Sequence, residues 1–220
     1  MIEAWKMETT LVYSPLIQMT EETRNEALDP DARLMLRFKD GDTEAFERLF
    51  MRHMHPIVNF AYRFVRNREV AEELAQEIFL KVHDAAGSYR VQAKFTTWLY
   101  RIATNVCLNE VRRPHFRNAH QSLDANPRET PDEVSFDLED KGAVDAEKLL
   151  ERQAIAQALR QALDQIPEKQ RIAFILSKYQ ELSYVEVADI MKISEKAVKS
   201  LIHRAKGALV ERLKPLLPEL

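Results

Sequence analysis

The chain has 220 residues, 45% apolar and 30% charged, which is enough for one large or two small globular domains. Its four glycines, at 41, 87, 142 and 207, exclude a glycine-rich phosphate loop or a dinucleotide fingerprint, and its single cysteine, Cys107, excludes an internal disulfide and a cysteine-based zinc site. The formal net charge of −3 argues against a nucleic-acid binder until its distribution is examined: residues 87–117 carry a net +5, residues 195–220 a net +3 and residues 118–151 a net −7.

Taken in chain order, residues 1–28 hold five Glu against Lys6 and Arg24 and lack the basic start and compact apolar core of a secretion signal. Asp29-Pro30 predicts a helix N-cap and first helical residue, and the helix is expected to reach about Phe38 before turning at Lys39–Asp42. From Thr43, Phe46, Leu49, Phe50, Ile57, Phe60, Ala61 and Phe64 recur at helical spacing, with Pro56 expected to kink or restart the helix. His53 and His55 point to different faces with no third ligand nearby, so they read as packed or surface side chains, and no metal or cofactor site is predicted.

Asn67 predicts the next cap, opening a helix to about Ala86 that buries Val70, Leu74, Ile78 and Val82. Its opposite face carries Glu69, Glu72, Glu73, Gln76, Glu77 and Asp84, with Leu80 in the middle and Phe79 at the edge. An apolar anchor inside a charged rim has the make-up of a protein-docking site.

Residues 87–94 predict a loop, and a helix follows from about Phe95 to Arg113, stopped by Pro114. Phe95, Leu99, Ile102, Ala103 and Val106 form its buried face, with Cys107 near the edge as a buried, inert thiol. Lys94, Arg101, Asn105 and Arg112 share a narrow stripe, with Trp98 and Asn109 beside it and Arg113 at the end. Cations hold phosphates, Asn pairs with base edges and an aromatic stacks on an unpaired base. Tyr89 and Arg90 in the preceding loop add a second stacking and phosphate-holding pair, so the whole suits opened DNA better than a closed duplex.

Residues 115–147 are rich in Pro, Asn, Asp and Glu and read as a flexible acidic linker. Helical spacing resumes at Leu149, Ala154, Ile155, Ala158, Leu159 and Leu163, and Pro167 restarts a helix through Phe174, Ile175 and Leu176. Residues 183–206 then spell two short helices around the turn Met191-Lys192-Ile193. Ser183 and Glu186 predict a capping box on the first, and Ser194 a cap on the second. At ~100° per residue, Val198, Leu201, Ile202, Ala205 and Leu209 fall on one face of the second helix. Lys196, Lys199, His203 and Lys206 fall on the other, with Arg204 on its flank and Glu195 and Ser200 completing the exposed surface. An apolar face that docks and a cationic face that projects is what a recognition helix in a major groove needs. No strand pattern and no run of ~18 apolar residues appears. The expected architecture is all-α: an N-terminal extension (1–28), a helical domain at 29–114, the acidic linker, and a helix-turn-helix domain at 148–214.

The segments FVRNREVAEELAQEIFLKVHDAA, FTTWLYRIATNVCLNEVRR and LDQIPEKQRIAFILSKYQELSYVEVADIMKISEKAVKSLIHRAKGAL together resemble the sigma factors of bacterial RNA polymerase, in the small two-domain extracytoplasmic-function (ECF) group of the sigma-70 family. The resemblance covers roughly residues 29–113 and 150–213. It implies a cytoplasmic transcription initiation factor with no catalytic chemistry, cofactor or direct membrane insertion. Its partners would be core polymerase (β′ coiled coil and β flap), promoter DNA and an anti-sigma factor. The 68–86 helix, through Glu69, Glu72, Glu73, Gln76, Glu77, Phe79 and Leu80, would grip the β′ coiled coil. The 87–94 loop and 95–113 helix would recognise and melt the −10 element, and Ser194 to Lys206 would read the −35 element. The sequence departs from the family in its turn, where members commonly carry glycine and this chain has Met191-Lys192-Ile193, and in residues 1–28, which have no counterpart. A stand-alone helix-turn-helix regulator would account for the C-terminus but not for the stripe at 94–112 or the docking helix. A helical hydrolase would need clustered His/Asp/Glu motifs that the sequence lacks.

Overall fold

The computed structural model describes residues 29–113 and 146–214, with side chains from 154 in the second segment; the expectations for residues 1–28 and for the acidic linker lie outside the described residues. Among the described residues the chain is helical throughout, in the order α1 (Pro30–Lys39), α2 (Thr43–Val65), α3 (Arg68–Asp84), a short 3-10 turn (Ala86–Ser88), α4 (Phe95–Arg112), α5 (Ala146–Asp164), α6 (Glu168–Lys178), α7 (Tyr184–Met191) and α8 (Glu195–Leu213).

In the N-terminal half, α2 lies at the centre and contacts α1, α3 and α4. Phe60 and Phe64 are buried with rings 5.0 Å apart, and Phe60 meets Tyr100 of α4 edge-on at 5.1 Å. The helix does not restart at Pro56: α2 runs for 23 residues with that proline inside it. Packing of Ile57, Val58, Phe60 and Ala61 on the core, directly after the proline, holds the helix through the one hydrogen bond that the ring removes. Asp42 and Asn67 accept from the amides of Ala45 and Val70 and cap α2 and α3. Asp29 stands at the head of α1, but its carboxylate serves another helix: it accepts from the Phe95 amide at 2.9 Å and so caps α4 across 66 residues of sequence. The buried pair His53–Asp31, at 2.8 Å, ties α2 to α1 beneath the same helix start, while exposed His55 meets Asn59 at 3.2 Å.

The C-terminal half closes α8 over α5, α6 and α7. Val198, Ile202, Ala205 and Leu209 of α8 are buried, Ile202 against the main core and Leu209 with Ala162, Leu163 and Ile166. The expected capping box on α7 is present: the Ser183 hydroxyl accepts from the Glu186 amide at 3.3 Å, and the Glu186 carboxylate accepts from the Ser183 amide at 2.8 Å. Ser194 caps α8 through the Ala197 amide at 3.2 Å. Met191 belongs to α7, and the turn is made at Lys192, which takes the left-handed conformation (φ 53°, ψ 47°) that glycine adopts without strain.

The two halves touch. One apolar cluster runs from Ala32 to Ile202, and α4 packs directly on α7.

Candidate nucleic-acid interface

Three surfaces follow from these helices. The first is α8. Its buried stripe fixes its rotation, so Glu195, Lys196, Lys199, Ser200, His203, Arg204 and Lys206 are all exposed along the opposite side. Arg204 donates back to the Ser200 carbonyl at 3.3 Å, which lays its guanidinium along the helix surface. Ser194, spent on the cap, fixes where the helix starts. With Lys192 swinging the chain from α7 into α8, the result is a short positioning helix and a long cationic helix joined by a tight turn, the geometry of a major-groove reader.

The second surface is α4. Its apolar side is buried as expected, with Phe95, Leu99, Ala103, Val106 and Cys107 at 5% exposure or less and Ile102 partly buried at the margin. Burial pushes the Cys107 thiol well above its ordinary value, aided by the nearby Glu77 and Glu110 charges, so it stays an inert thiol. Asn105 and Asn109 are exposed, and Trp98 is half-buried. Tyr89 requires a correction. It is 2% exposed, its ring sits edge-on to Trp98 at 4.9 Å and against Phe95 at 6.4 Å, and its hydroxyl has no hydrogen-bond partner among the described residues. It is therefore a floor under Trp98, with no open face for an unpaired base. Its carbonyl accepts from Lys39 Nζ at 3.1 Å and from Arg90 Nη1 at 2.9 Å, which pins the loop between α3 and α4.

The cations of the α4 stripe are engaged by the other half of the molecule. Lys94 pairs with Glu186 at 3.1 Å, Arg101 with Asp189, and Arg112 with Glu168 at 2.6 Å. Arg113 pairs with Glu110 of its own helix at 2.7 Å. Alongside, the Tyr100 hydroxyl bonds Gln180. Burial pushes that phenol up to about 12 and Arg63 offsets part of the rise, so it stays a neutral donor. Arg66 reaches the Arg160 carbonyl and Asp164, each at 3.2 Å, and the Arg63 guanidinium lies 4.2 Å from the Tyr179 ring centre. No periodicity announces these carboxylates: in the sequence Glu186 is legible only as a capping residue, and Glu168 and Asp189 carry no pattern that links them to α4.

The third surface is α3. Glu69, Glu73 and Gln76 are exposed, Glu72 and Glu77 half-buried, and Leu80 stands among them 65% exposed. Phe79 requires the second correction: it is 3% exposed and meets Phe50 edge-on at 5.0 Å, so it is a core residue that holds the helix, outside the surface where a partner would touch. Among the described residues no group of His, Cys, Asp and Glu can hold a metal ion, and no helix is long and apolar enough to cross a membrane.

A helical N-terminal half ending in a cationic, Asn-bearing helix, joined to a helix-turn-helix half, defines a two-domain DNA-directed factor. Comparison with known families agrees: the profile for Sigma-70 region 2 matches residues 49–116, and that for Sigma-70, region 4 matches residues 156–209. The RNA polymerase sigma-H factor of Pseudomonas aeruginosa is 33% identical over 193 residues, covering 87% of this chain and 97% of that protein. The ECF RNA polymerase sigma-E factor of Escherichia coli is 31% identical over 191 residues (85% and 96%), and the ECF sigma factor SigW of Bacillus subtilis 30% over 178 residues (81% and 94%). Among solved structures, CnrH in complex with the cytosolic domain of CnrY superposes with a TM-score of 0.60 at 21% identity, covering 85% of this chain and 99% of that one. RpoE in complex with the anti-sigma factor NepR, from Bartonella quintana, superposes with a TM-score of 0.55 at 22% identity, covering 77% and 96%. The chain belongs to the sigma-70 family, in its ECF group, and is a promoter-specific transcription initiation factor.

Proposed function

We propose that the three surfaces divide the work of initiation. The α8 face from Ser194 to Lys206 reads the −35 element in the major groove. Lys94, Trp98, Arg101, Asn105, Asn109, Arg112 and Arg113 of α4, with Arg90 before it, bind and open the −10 element. The α3 face of Glu69, Glu72, Glu73, Gln76, Glu77 and Leu80 seats the protein on the β′ coiled coil of core polymerase, and the C-terminal half meets the β flap. The factor acts in the cytoplasm without a cofactor and takes an anti-sigma partner, as RpoE of Bartonella quintana does in its complex with the anti-sigma factor NepR.

One observation carries this reading: α8 holds Lys196, Lys199, His203, Arg204 and Lys206 along one side in solvent while its opposite side is locked in the core, on a chain whose other half carries cations and base-pairing amides along one helix. Cations at these positions fix register on phosphates, and Asn and His read edges. Run-off transcription from a promoter library, with bacterial core polymerase and with or without this protein, tests it. The expected result is protein-dependent transcripts that share −35 and −10 elements, with Arg101→Ala/Asn105→Ala lowering permanganate reactivity at −10 more than closed-complex formation. Tight sequence-specific DNA binding without polymerase, and no transcripts, would replace this reading with that of a stand-alone regulator.

A further inference from the structure

Asp29 and Lys39 stand at the two ends of α1, and each reaches into the segment proposed to open the −10 element. The Asp29 carboxylate accepts from the Phe95 amide at 2.9 Å, where α4 begins, and Lys39 Nζ donates to the Tyr89 carbonyl at 3.1 Å, where the exposed part of the preceding loop begins. We infer that α1 is a clasp for the −10 surface: Asp29 and Lys39, neither of them a proposed DNA contact, are positioning residues that hold the loop and Trp98 in place for an unpaired base. The inference rests on the assignment of α4 and its loop to the −10 element.

The loop has little of its own to hold it. Residues 90–94 are all exposed, and no backbone hydrogen bond joins residues 91–93 to the other described residues. At its far end the cap position of α4 is filled by Lys94, whose side chain makes no capping bond, and the first turn, Phe95-Thr96-Thr97, holds no acid. A local cap would need a short polar side chain at position 94. Taking the cap from Asp29 leaves that position to a cation that can meet a phosphate, and the Asp29 charge offsets a cation placed at the positive end of the helix. At its near end the Tyr89 hydroxyl finds no partner among the described residues, and Arg90 bonds a carbonyl only one residue away, so Lys39 supplies the long-range hydrogen bond. Ten residues of helix at ~1.5 Å each make α1 a strut of ~15 Å that fixes the separation of the two ends. Tyr89 and Phe95, the two residues so held, are the ones whose rings meet Trp98, at 4.9 and 5.8 Å. Each hold of the clasp therefore reaches Trp98 through one ring.

The test uses holoenzyme formed from the full-length chain and core polymerase, on a promoter carrying 2-aminopurine in the −10 element, whose fluorescence rises as the base leaves the stack. Asp29→Ala should slow opening about fivefold, the population effect of losing a helix cap of ordinary size, and Asp29→Asn, which keeps an acceptor, should stay within twofold of the parent. Lys39→Met should slow opening likewise, and Lys39→Arg should restore it. Asn67→Ala removes a cap of the same kind from α3, away from the loop, and should open at the parental rate. Affinity for core polymerase should stay parental in the Asp29 and Lys39 variants. In a Trp5→Phe background Trp98 is the sole tryptophan, and its emission should shift in Asp29→Ala and Lys39→Met but not in Asn67→Ala. A shifted Trp98 emission with opening at the parental rate would overturn the clasp. So would an equal slowing in Asp29→Ala and Asn67→Ala, which would make Asp29 a matter of stability alone. Trp98→Ala/Asn105→Ala, run alongside, reports on the underlying reading: opening at the parental rate there would overturn the assignment of α4 to the −10 element itself.

Discussion

Leu80→Ala separates docking from folding. In the free protein Leu80 is 65% exposed, so folding has realised only about a third of what burying a leucine can contribute, which is about 1.5–3 kcal/mol in full. Truncation therefore costs the fold at most about 0.5–1 kcal/mol, and the better helix propensity of alanine returns a few tenths. If Leu80 is the anchor that core polymerase covers, the remaining two-thirds is gained on docking, about 1–2 kcal/mol, and the variant should bind core polymerase about 5–30-fold more weakly. Fluorescence anisotropy of the labelled factor against core polymerase gives the affinity, and urea unfolding gives the stability of the same preparation. Phe79→Ala, one residue earlier, is the contrast. It removes a 3%-exposed ring packed on Phe50 and should cost about 3–5 kcal/mol of stability, so any loss of binding there would report unfolding. An affinity for Leu80→Ala within twofold of the parent, with the fold intact, would refute the docking assignment of α3.

Three further outcomes are expected. Lys192→Gly relieves a left-handed non-glycine residue worth about 1–2 kcal/mol and adds about 0.5–1 kcal/mol of unfolded-state entropy, so the net is a stabilisation of about 0.5 kcal/mol in urea melts; a loss of stability would contradict the strain. Lys199→Ala should weaken binding to −35 duplexes and lower the slope of log affinity against log salt by about 1, while affinity for core polymerase stays at the parental value; an unchanged slope would place Lys199 off the phosphates. Burial pushes the Glu186 carboxyl up, but the Ser183 hydroxyl and amide and then Lys94 outweigh it and leave the group below its ordinary 4.5. A depressed carboxylate contributes stability above that value and loses it as the pH falls through and below 4.5, so the gap in urea midpoint between the parent and Glu186→Gln should be full at pH 6 and close in that acid range; a gap that stayed constant would remove the charge from the cap.

What was legible in the sequence was local. The Ser183–Glu186 box, the Ser194 cap and the Asn67 cap each depend on two residues three apart, and each stands in the structure where that spacing puts it. The stripe Val198–Ile202–Ala205–Leu209 was legible because burial of one face leaves a period of 3.6. The misreadings all came from tertiary context. A restart at Pro56 was avoided because the core around it carries the helix on. Asp29 found a better use at the Phe95 amide than at its own helix. Tyr89 and Phe79 carry no periodic signal that distinguishes a buried ring from one at a surface edge, and only the packing of Trp98 and Phe50 against them decides it. The carboxylates that meet α4 lie 56 to 92 residues away in sequence, and no helical wheel brings them together.

The same long-range contacts set a geometric condition on function. The two promoter elements lie about 25 base pairs apart, which at ~3.4 Å per base pair is ~85 Å along the duplex. In the closed molecule α4 packs on α7 and α7 on α8, and two helix-to-helix steps of ~8–10 Å place the two reading helices within ~20 Å of each other. One rigid closed molecule therefore cannot hold both elements, however well each helix fits its groove. The chain from 114 to 145, about 32 residues, can span at most ~105–115 Å when extended, enough to bridge the elements with little to spare. If α8 reads −35 and α4 reads −10 as proposed, the two halves must separate on the promoter, and the contacts of Arg101 with Asp189 and of Arg112 with Glu168 are broken when they do.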